Sequence, residues 1–360
     1  MGRFPLRLHA SQLRCGQIFK KMPHATPIAR DHSGPSAPLV IAAYFAGTLL
    51  IGAALAPWLF HAAKSFAAWS AQQGWDQLPV IGSWQESIAR SDFTRVFNRA
   101  VLIGALACFW PAARALRLRR GELSLEKNRR WARDLVAGFL IAAGLLLAMG
   151  AIYYQTGLFI ENKKASLGSA LQNALTRAAG VGLIEELFFR GALLGLVLRA
   201  WPAKSSLLFV TTVFAAVHFL QAPPKLVIHE NVQPGTGFWL VGEILRTFTD
   251  TDMLLAQFAT LWFAGWILGA ARLRTRSLWL PIGLHTGWVF GIGLYASLAK
   301  ASRAVRKEEY LPWIGNTLIN GLVPLAALAV TSAAVWAYLR WLRRASGQAI
   351  QAAGNAPAAD

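Results

Sequence analysis

The chain has 360 residues, 55% of them hydrophobic and only 15% charged, a composition that excludes an ordinary soluble domain. Its net charge of +19 comes largely from Lys and Arg placed beside apolar runs. That placement fits anionic lipid and membrane orientation, and it argues against nucleic acid, for which no recognition module is present.

Residues 1–37 are polar and basic and lack the apolar core of a cleavable signal peptide, so they read as a basic cytoplasmic N-terminal segment. Apolar runs then recur at 39–60, 97–116, 135–154, 178–198, 205–222, 253–271, 278–298 and 319–340. Each approaches the roughly 17–25 residues needed to cross a bilayer, and in hydrocarbon such runs must be helical. The predicted fold class is all-α: a polytopic membrane helix bundle of about eight transmembrane helices. Segment 61–96, with Trp69, Trp75 and Trp84, reads as an interfacial helix or re-entrant turn. The end of the second run and the loop leading to the third hold Arg114, Arg117, Arg119, Arg120, Lys127, Arg129, Arg130 and Arg133. The positive-inside rule places that loop, and both termini, in the cytoplasm. Residues 223–251 read as a polar loop and a lid beside any site, and 346–360 as a disordered tail. No internal repeat is evident, which disfavours a repeat-built transporter. Of the two cysteines, Cys108 lies in an apolar run as a small hydrophobe, and Cys15 in a basic segment is open to acylation.

Five acidic, basic or histidine side chains fall well inside these runs, away from their ends: Glu185, Glu186 and Arg190 in GLIEELFFRGAL, His218 in FAAVHFL, and His285 in LPIGLHTGWVF. A charge at bilayer depth costs about 2.5–3.5 kcal/mol on insertion scales, so such groups face one another or a wet cavity and mark function. On a helix Glu186 and Arg190 are i,i+4 and can pair, while Glu185 points about 100° away and is left free for a histidine of another helix. Phe214 lies one turn before His218. A base, a partner imidazole, a fixed ion pair and a second imidazole suffice to activate water and stabilise an oxyanion.

These residues resemble a known family. GLIEELFFRGAL resembles the Glu-Glu-x-x-x-Arg motif of the CAAX protease and bacteriocin-processing family, also called Abi. Phe214 to His218 resembles its Phe-x-x-x-His motif, and the stretch from His285 resembles its His-x-x-x-Asn/Asp motif. The resemblance implies a glutamic-type intramembrane endopeptidase without metal or cofactor, acting on a peptide or protein with a membrane-associated segment. It implies catalytic roles for Glu185, Glu186, Arg190, His218 and His285. Glu185 with His218 would activate water, Arg190 would fix Glu186, and His285 would stabilise the oxyanion. Phe214, Trp288 and Val289 would line the substrate pocket. Val289 departs from the pattern, standing where the family has Asn or Asp. The implied organisation is N-terminal membrane helices at 38–164, a protease core at 165–298 and a final transmembrane helix at 299–345. A bacterial inner membrane is the expected location, with CAAX-type, bacteriocin-leader or C-terminal-anchor processing as the expected activity.

Other readings stand beside this one. Glu186–Arg190 alone is compatible with a structural pair, and a membrane histidine alone with an interhelical hydrogen bond. A catalytically inactive immunity or scaffold protein, or a proton-coupled transporter, would also keep buried acids and histidines. His218, His285 and one Glu could hold zinc, although no His-Glu-x-x-His is present and His229-Glu230 lacks the second histidine.

Overall fold

The computed structural model describes residues 37–117, 124–125, 128–220, 226–246 and 251–354. The N-terminal basic segment with Cys15, save for its last residue, and the last six residues of the expected tail lie outside them. The described chain is an all-α bundle with one small β-ribbon. Each of the eight expected runs is helical over most of its described length.

The first helix, α1 (Ala37–Gln72), does not stop near residue 60. It runs on to Gln72 and turns back through a 3₁₀ turn (Trp75–Gln77) into α2 (Pro79–Ala89), which begins with proline at a position where no N–H is needed. The expected interfacial segment is thus an extension of α1 and a helical return. Lys64 ties the two together, donating to the carbonyls of Ala89 at 2.6 Å and Ser91 at 2.8 Å. Helix α3 (Phe93–Ala115) starts at an Asp92 cap, whose side chain accepts from the Arg95 N–H, and packs antiparallel on α1.

Helix α4 (Trp131–Gln155) leads to strand β1 (Phe159–Glu161). The fourth run is longer than expected and is broken in type. Helix α5 (Leu167–Glu186) passes through a π-helical segment (Leu187–Leu193) into α6 (Leu194–Ala200). Helix α7 (Ala203–Val217) follows, then α8 (Thr236–Arg246), α9 (Thr251–Thr275) and α10 (Trp279–Leu298). Strand β2 (Ala299–Ala301) pairs antiparallel with β1, Ile160 opposite Lys300. A short helix α11 (Arg303–Arg306) and the last helix α12 (Leu322–Gly354) complete the chain. The backbone of α12 stays helical past Ser346, into the expected disordered tail, through a stretch in which Ala and Gln favour helix.

Among the described residues, four helices are long and apolar enough to cross a membrane: 38–72, 93–115, 131–155 and 322–344. The others fail for physical reasons that bear on function. Helix α5 carries charges, α7 has only 15 residues, and α10 is rich in glycine. Helix α10 is nevertheless the most enclosed, with Leu280 to His285 continuously buried. It lies flat against α4 because Gly283, Gly287 and Gly291 repeat every four residues along the contact. A Cβ at Gly287 would come within 2.6 Å of the Phe139 carbonyl oxygen. The β-ribbon, Tyr153, Val305 and Leu318 form a separate apolar cluster at one end of the bundle.

Of the expected lid at 223–251, the described residues 226–235 carry no helix or strand and 236–246 form α8, which buries Leu240 and Ile244 against Ala53, Phe60 and Phe97 of α1 and α3. Its amphipathic sequence finds that apolar face before any other.

Candidate functional site

Two helices meet first. Gly182, one turn before Glu186, lets α5 approach α10 so closely that a Cβ there would lie 2.5 Å from the Thr286 hydroxyl. That contact sets both glutamates opposite His285. The π segment then carries Arg190, and its sequence position four residues after Glu186 still permits the pair. Arg190 Nη1 donates to Glu186 Oε1 at 2.7 Å, with side-chain exposures of 1% and 0%. His285 Nδ1 is 2.8 Å from the same oxygen. Since an ionised carboxylate only accepts, Nδ1 carries the hydrogen, which leaves Nε2 facing inward.

A third helix joins through α7. Its end presents His218, whose Nδ1 is 2.6 Å from the Phe214 carbonyl oxygen one turn earlier. A carbonyl cannot donate, so this ring is also pinned by its Nδ1–H and turns Nε2 inward. Both free nitrogens point at one atom. Glu185 Oε2 is 3.8 Å from His218 Nε2 and 3.8 Å from His285 Nε2. That is beyond a direct hydrogen bond and close enough for one water oxygen to bridge. The same Oε2 is buried and has no hydrogen-bond partner among the described residues.

The two adjacent glutamates therefore occupy different environments. Glu186 is sealed between Arg190 and His285. Glu185, with its side chain 30% exposed, forms part of the wall of a cavity of about 340 Å³. Phe214, His218, His285, Trp288 and Val289 line that cavity as well, so every residue expected in the site lies on it except Glu186 and Arg190, which stand directly behind. Phe214 separates the two layers. Its ring lies 4.1 Å from the Arg190 guanidinium carbon and 4.5 Å, centroid to centroid, from the His218 ring. A cation over an aromatic face and an edge-on imidazole both favour this position.

Two contributors carry no motif. Gly265 of α9 accepts a hydrogen bond from Arg190 Nη2 at 3.2 Å, and a Cβ at this position would meet Phe214 at 2.9 Å. The Glu186–His285 contact likewise depends on the α5–α10 approach. No sequence signal marks either. Among the described residues no cluster of three or more His, Cys, Asp and Glu is arranged to hold a metal ion.

Residues 168–291 match the protein-family model described as Type II CAAX prenyl endopeptidase Rce1-like. No curated protein and no solved structure matches the chain. The matched stretch opens at the start of α5 and closes within α10, so it contains all eight residues placed at the site. The chain is an integral membrane protein that carries an Rce1-like domain of the type II CAAX prenyl endopeptidase family over residues 168–291.

Proposed function

We propose that the chain is a glutamic-type intramembrane endopeptidase whose site is the Glu185–His218–His285 triangle. The observation that carries this reading is the pair of equal 3.8 Å separations from Glu185 Oε2 to two imidazole nitrogens that are pinned from behind. Water held between Glu185 and His218 Nε2 attacks the substrate carbonyl and gives its proton to Glu185. Glu185 passes that proton to His285 Nε2. The resulting imidazolium donates to the oxyanion and then protonates the leaving amine, while Glu186 behind it balances the charge. Without a second proton His285 has no donor to offer, because Nδ1–H is already committed to Glu186. Glu186 and Arg190 thus position the ring. The domain limits that accompany this reading are a core at 165–298 between helices at 38–164 and 299–345.

The triangle uses no metal in this scheme. Cleavage of a prenylated peptide by the purified protein is expected to survive exhaustive chelation. Loss of cleavage with EDTA, restored by zinc, would assign the site to a metallopeptidase.

Val289 lies one turn beyond His285 on the cavity wall. An amide at this position would face the same oxyanion, and one such donor is worth about 10²–10³ in rate. Val289→Asn is expected to raise kcat on the native substrate, and to do nothing in a Glu185→Gln background. Unchanged turnover would show that backbone or Trp288 donors already fill the role.

The basic loop and both termini are proposed to face the cytoplasm of a bacterial inner membrane, with anionic lipid at the basic ends of the helices. Cavity residues Met149, Arg177, Ile292 and Pro324 come from the helix ends nearer the β-ribbon, opposite that loop. With that orientation these lining residues lie on the external side, which favours leader or anchor processing over a cytosolic substrate. Reporter fusions after Gly121 and at the C-terminus should both read cytoplasmic; an external signal at either reverses the orientation.

A further inference from the structure

A second cavity, of about 30 Å³, lies between the start of α1, the end of α3 and the π segment with α6. Its walls include Ile41 and Tyr44, Ala112 and Leu116, and Phe188 and Leu196, and the Tyr44 phenol is the one polar side-chain group in its lining. Water held there would find too few hydrogen-bond partners. Helices α1 and α3 are long and apolar enough to cross a membrane, so the medium beside this groove is hydrocarbon. The same helix ends carry charge of one sign. Helix α3 closes with Arg114 in its last turn, Arg117 follows, and the sequence continues with Arg119 and Arg120. Arg199, in the last turn of α6, donates to the carbonyls of Leu116 at 2.9 Å and Arg117 at 3.2 Å, which brings its guanidinium to the same mouth. No Asp or Glu occurs in 37–44, 109–121 or 194–204. Arg114 is exposed, its guanidinium carbon lies 5.4 Å from the centre of the Trp110 ring, and no acid pairs with it among the described residues. A dry groove that ends under a cluster of guanidiniums matches a phospholipid, with hydrocarbon in the groove and phosphate at its mouth.

We propose that this groove receives an acyl chain of an anionic phospholipid whose phosphate rests on Arg114 and Arg117, and that the bound lipid fixes the π segment that carries Arg190. A guanidinium meets a phosphate through paired, charge-assisted hydrogen bonds. The wall that the chain would touch leads by ring contacts to the candidate site. Phe188 stacks on Tyr44 at 5.0 Å and meets Phe189 edge-on at 4.9 Å. Phe189 meets Phe214 edge-on at 5.2 Å, and Phe214 lies 4.1 Å from the Arg190 guanidinium carbon and 5.9 Å from the His285 ring. Aromatic pairs favour a few geometries, so a shift of Phe188 is felt by its neighbours. A π-helical turn is a rare backbone state that recurs at functional sites. Here its outer support is the groove, and a chain seated there holds Phe188 against Phe189. Arg114 and Arg117 are thus binding residues, and the lipid acts on Arg190 through packing. The site does not depend on Glu185 cutting a peptide.

Two readouts test it, and neither needs cleavage. The full chain, stripped of lipid in detergent, is titrated with phosphatidylglycerol or phosphatidylcholine of the same acyl chains, and bound lipid is counted by native mass spectrometry. Phosphatidylglycerol is expected to bind at least about tenfold more tightly, the size of one hydrogen-bonded charge contact. Arg114→Gln/Arg117→Gln should bring that ratio to about one. Ala113→Leu, which fills the groove and leaves the arginines in place, should weaken the binding of phosphatidylglycerol. In vesicles, phosphatidylglycerol should slow hydrogen exchange of the amides of 187–193 relative to phosphatidylcholine in the native protein, and in neither variant. Glycerophosphoglycerol, the same headgroup without chains, should not slow it. The paired arginine variant alters exposed side chains and decides the matter even if Ala113→Leu does not fold. Equal binding of the two lipids, a preference that survives Arg114→Gln/Arg117→Gln, or exchange at 187–193 that ignores the lipid overturns the proposal. Slowing by glycerophosphoglycerol also overturns it, since phosphate alone would then suffice.

Discussion

Glu186→Gln is expected to cost the folded protein about 3–5 kcal/mol, the penalty for leaving one partner of a buried pair uncompensated. Glu186 has no exposed surface and its Oε1 serves Arg190 and His285 at once. The amide keeps the shape and one acceptor oxygen but loses the charge, so Arg190 stays buried without its counter-ion and His285 Nδ1–H is held by a weaker, neutral acceptor. Thermal unfolding in detergent should shift sharply downward, and cleavage should fall with it. Arg190→Leu should behave alike. The double replacement Glu186→Leu/Arg190→Leu should recover much of the stability, since it removes both charges together, and none of the activity. If Glu186→Gln is as stable as the native protein and only inert, the two glutamates have exchanged roles.

Glu185→Gln should do the opposite. Its carboxylate lies on the cavity wall with no direct hydrogen bond among the described residues, so the folded state loses little when the charge is removed. The reaction loses the group that accepts the water proton. Positioned acid–base groups contribute about 10²–10⁴ in rate, and kcat is expected to fall by at least that range while the unfolding temperature stays within a degree or two. His218→Gln should lose most of the same factor, since Nε2 is the second contact to the water. A Glu185→Gln protein that unfolds early while retaining its turnover per folded molecule contradicts the assignment.

Much of the site was legible because the membrane makes polar residues conspicuous. Glu185, Glu186, Arg190, His218 and His285 stand out against apolar runs, and helical spacing alone pairs Glu186 with Arg190 and leaves Glu185 apart. The structure keeps that division. The second partner of Glu186 was not legible. His285 reaches it only because α5 closes on α10 at Gly182 and Thr286, an event between residues about a hundred positions apart. The Gly265 carbonyl and the π segment around Arg190 are hidden for the same reason: they are properties of packing and of backbone, without a residue type that announces them. The extension of α1 to Gln72 was missed because tryptophans read as an interface regardless of the backbone that carries them. The packing of the described part of the expected lid was hidden because α8 keeps its apolar face for α1 and α3. Two strands of three residues are too short to show an alternating pattern, and only the neighbouring ends of α4 and α10 bring them into register.

Hydrolysis of a peptide bond at the Glu185 triangle leaves its signature in the products. Its most direct measurement is the mass of every product formed when the purified, vesicle-inserted protein is incubated with prenylated and anchor-type peptides. The native protein is expected to form fragment pairs whose masses sum to the substrate plus one water, and folded Glu185→Gln to form none. Intact peptides after prolonged incubation with the native protein, or the same fragments from Glu185→Gln, would contradict it.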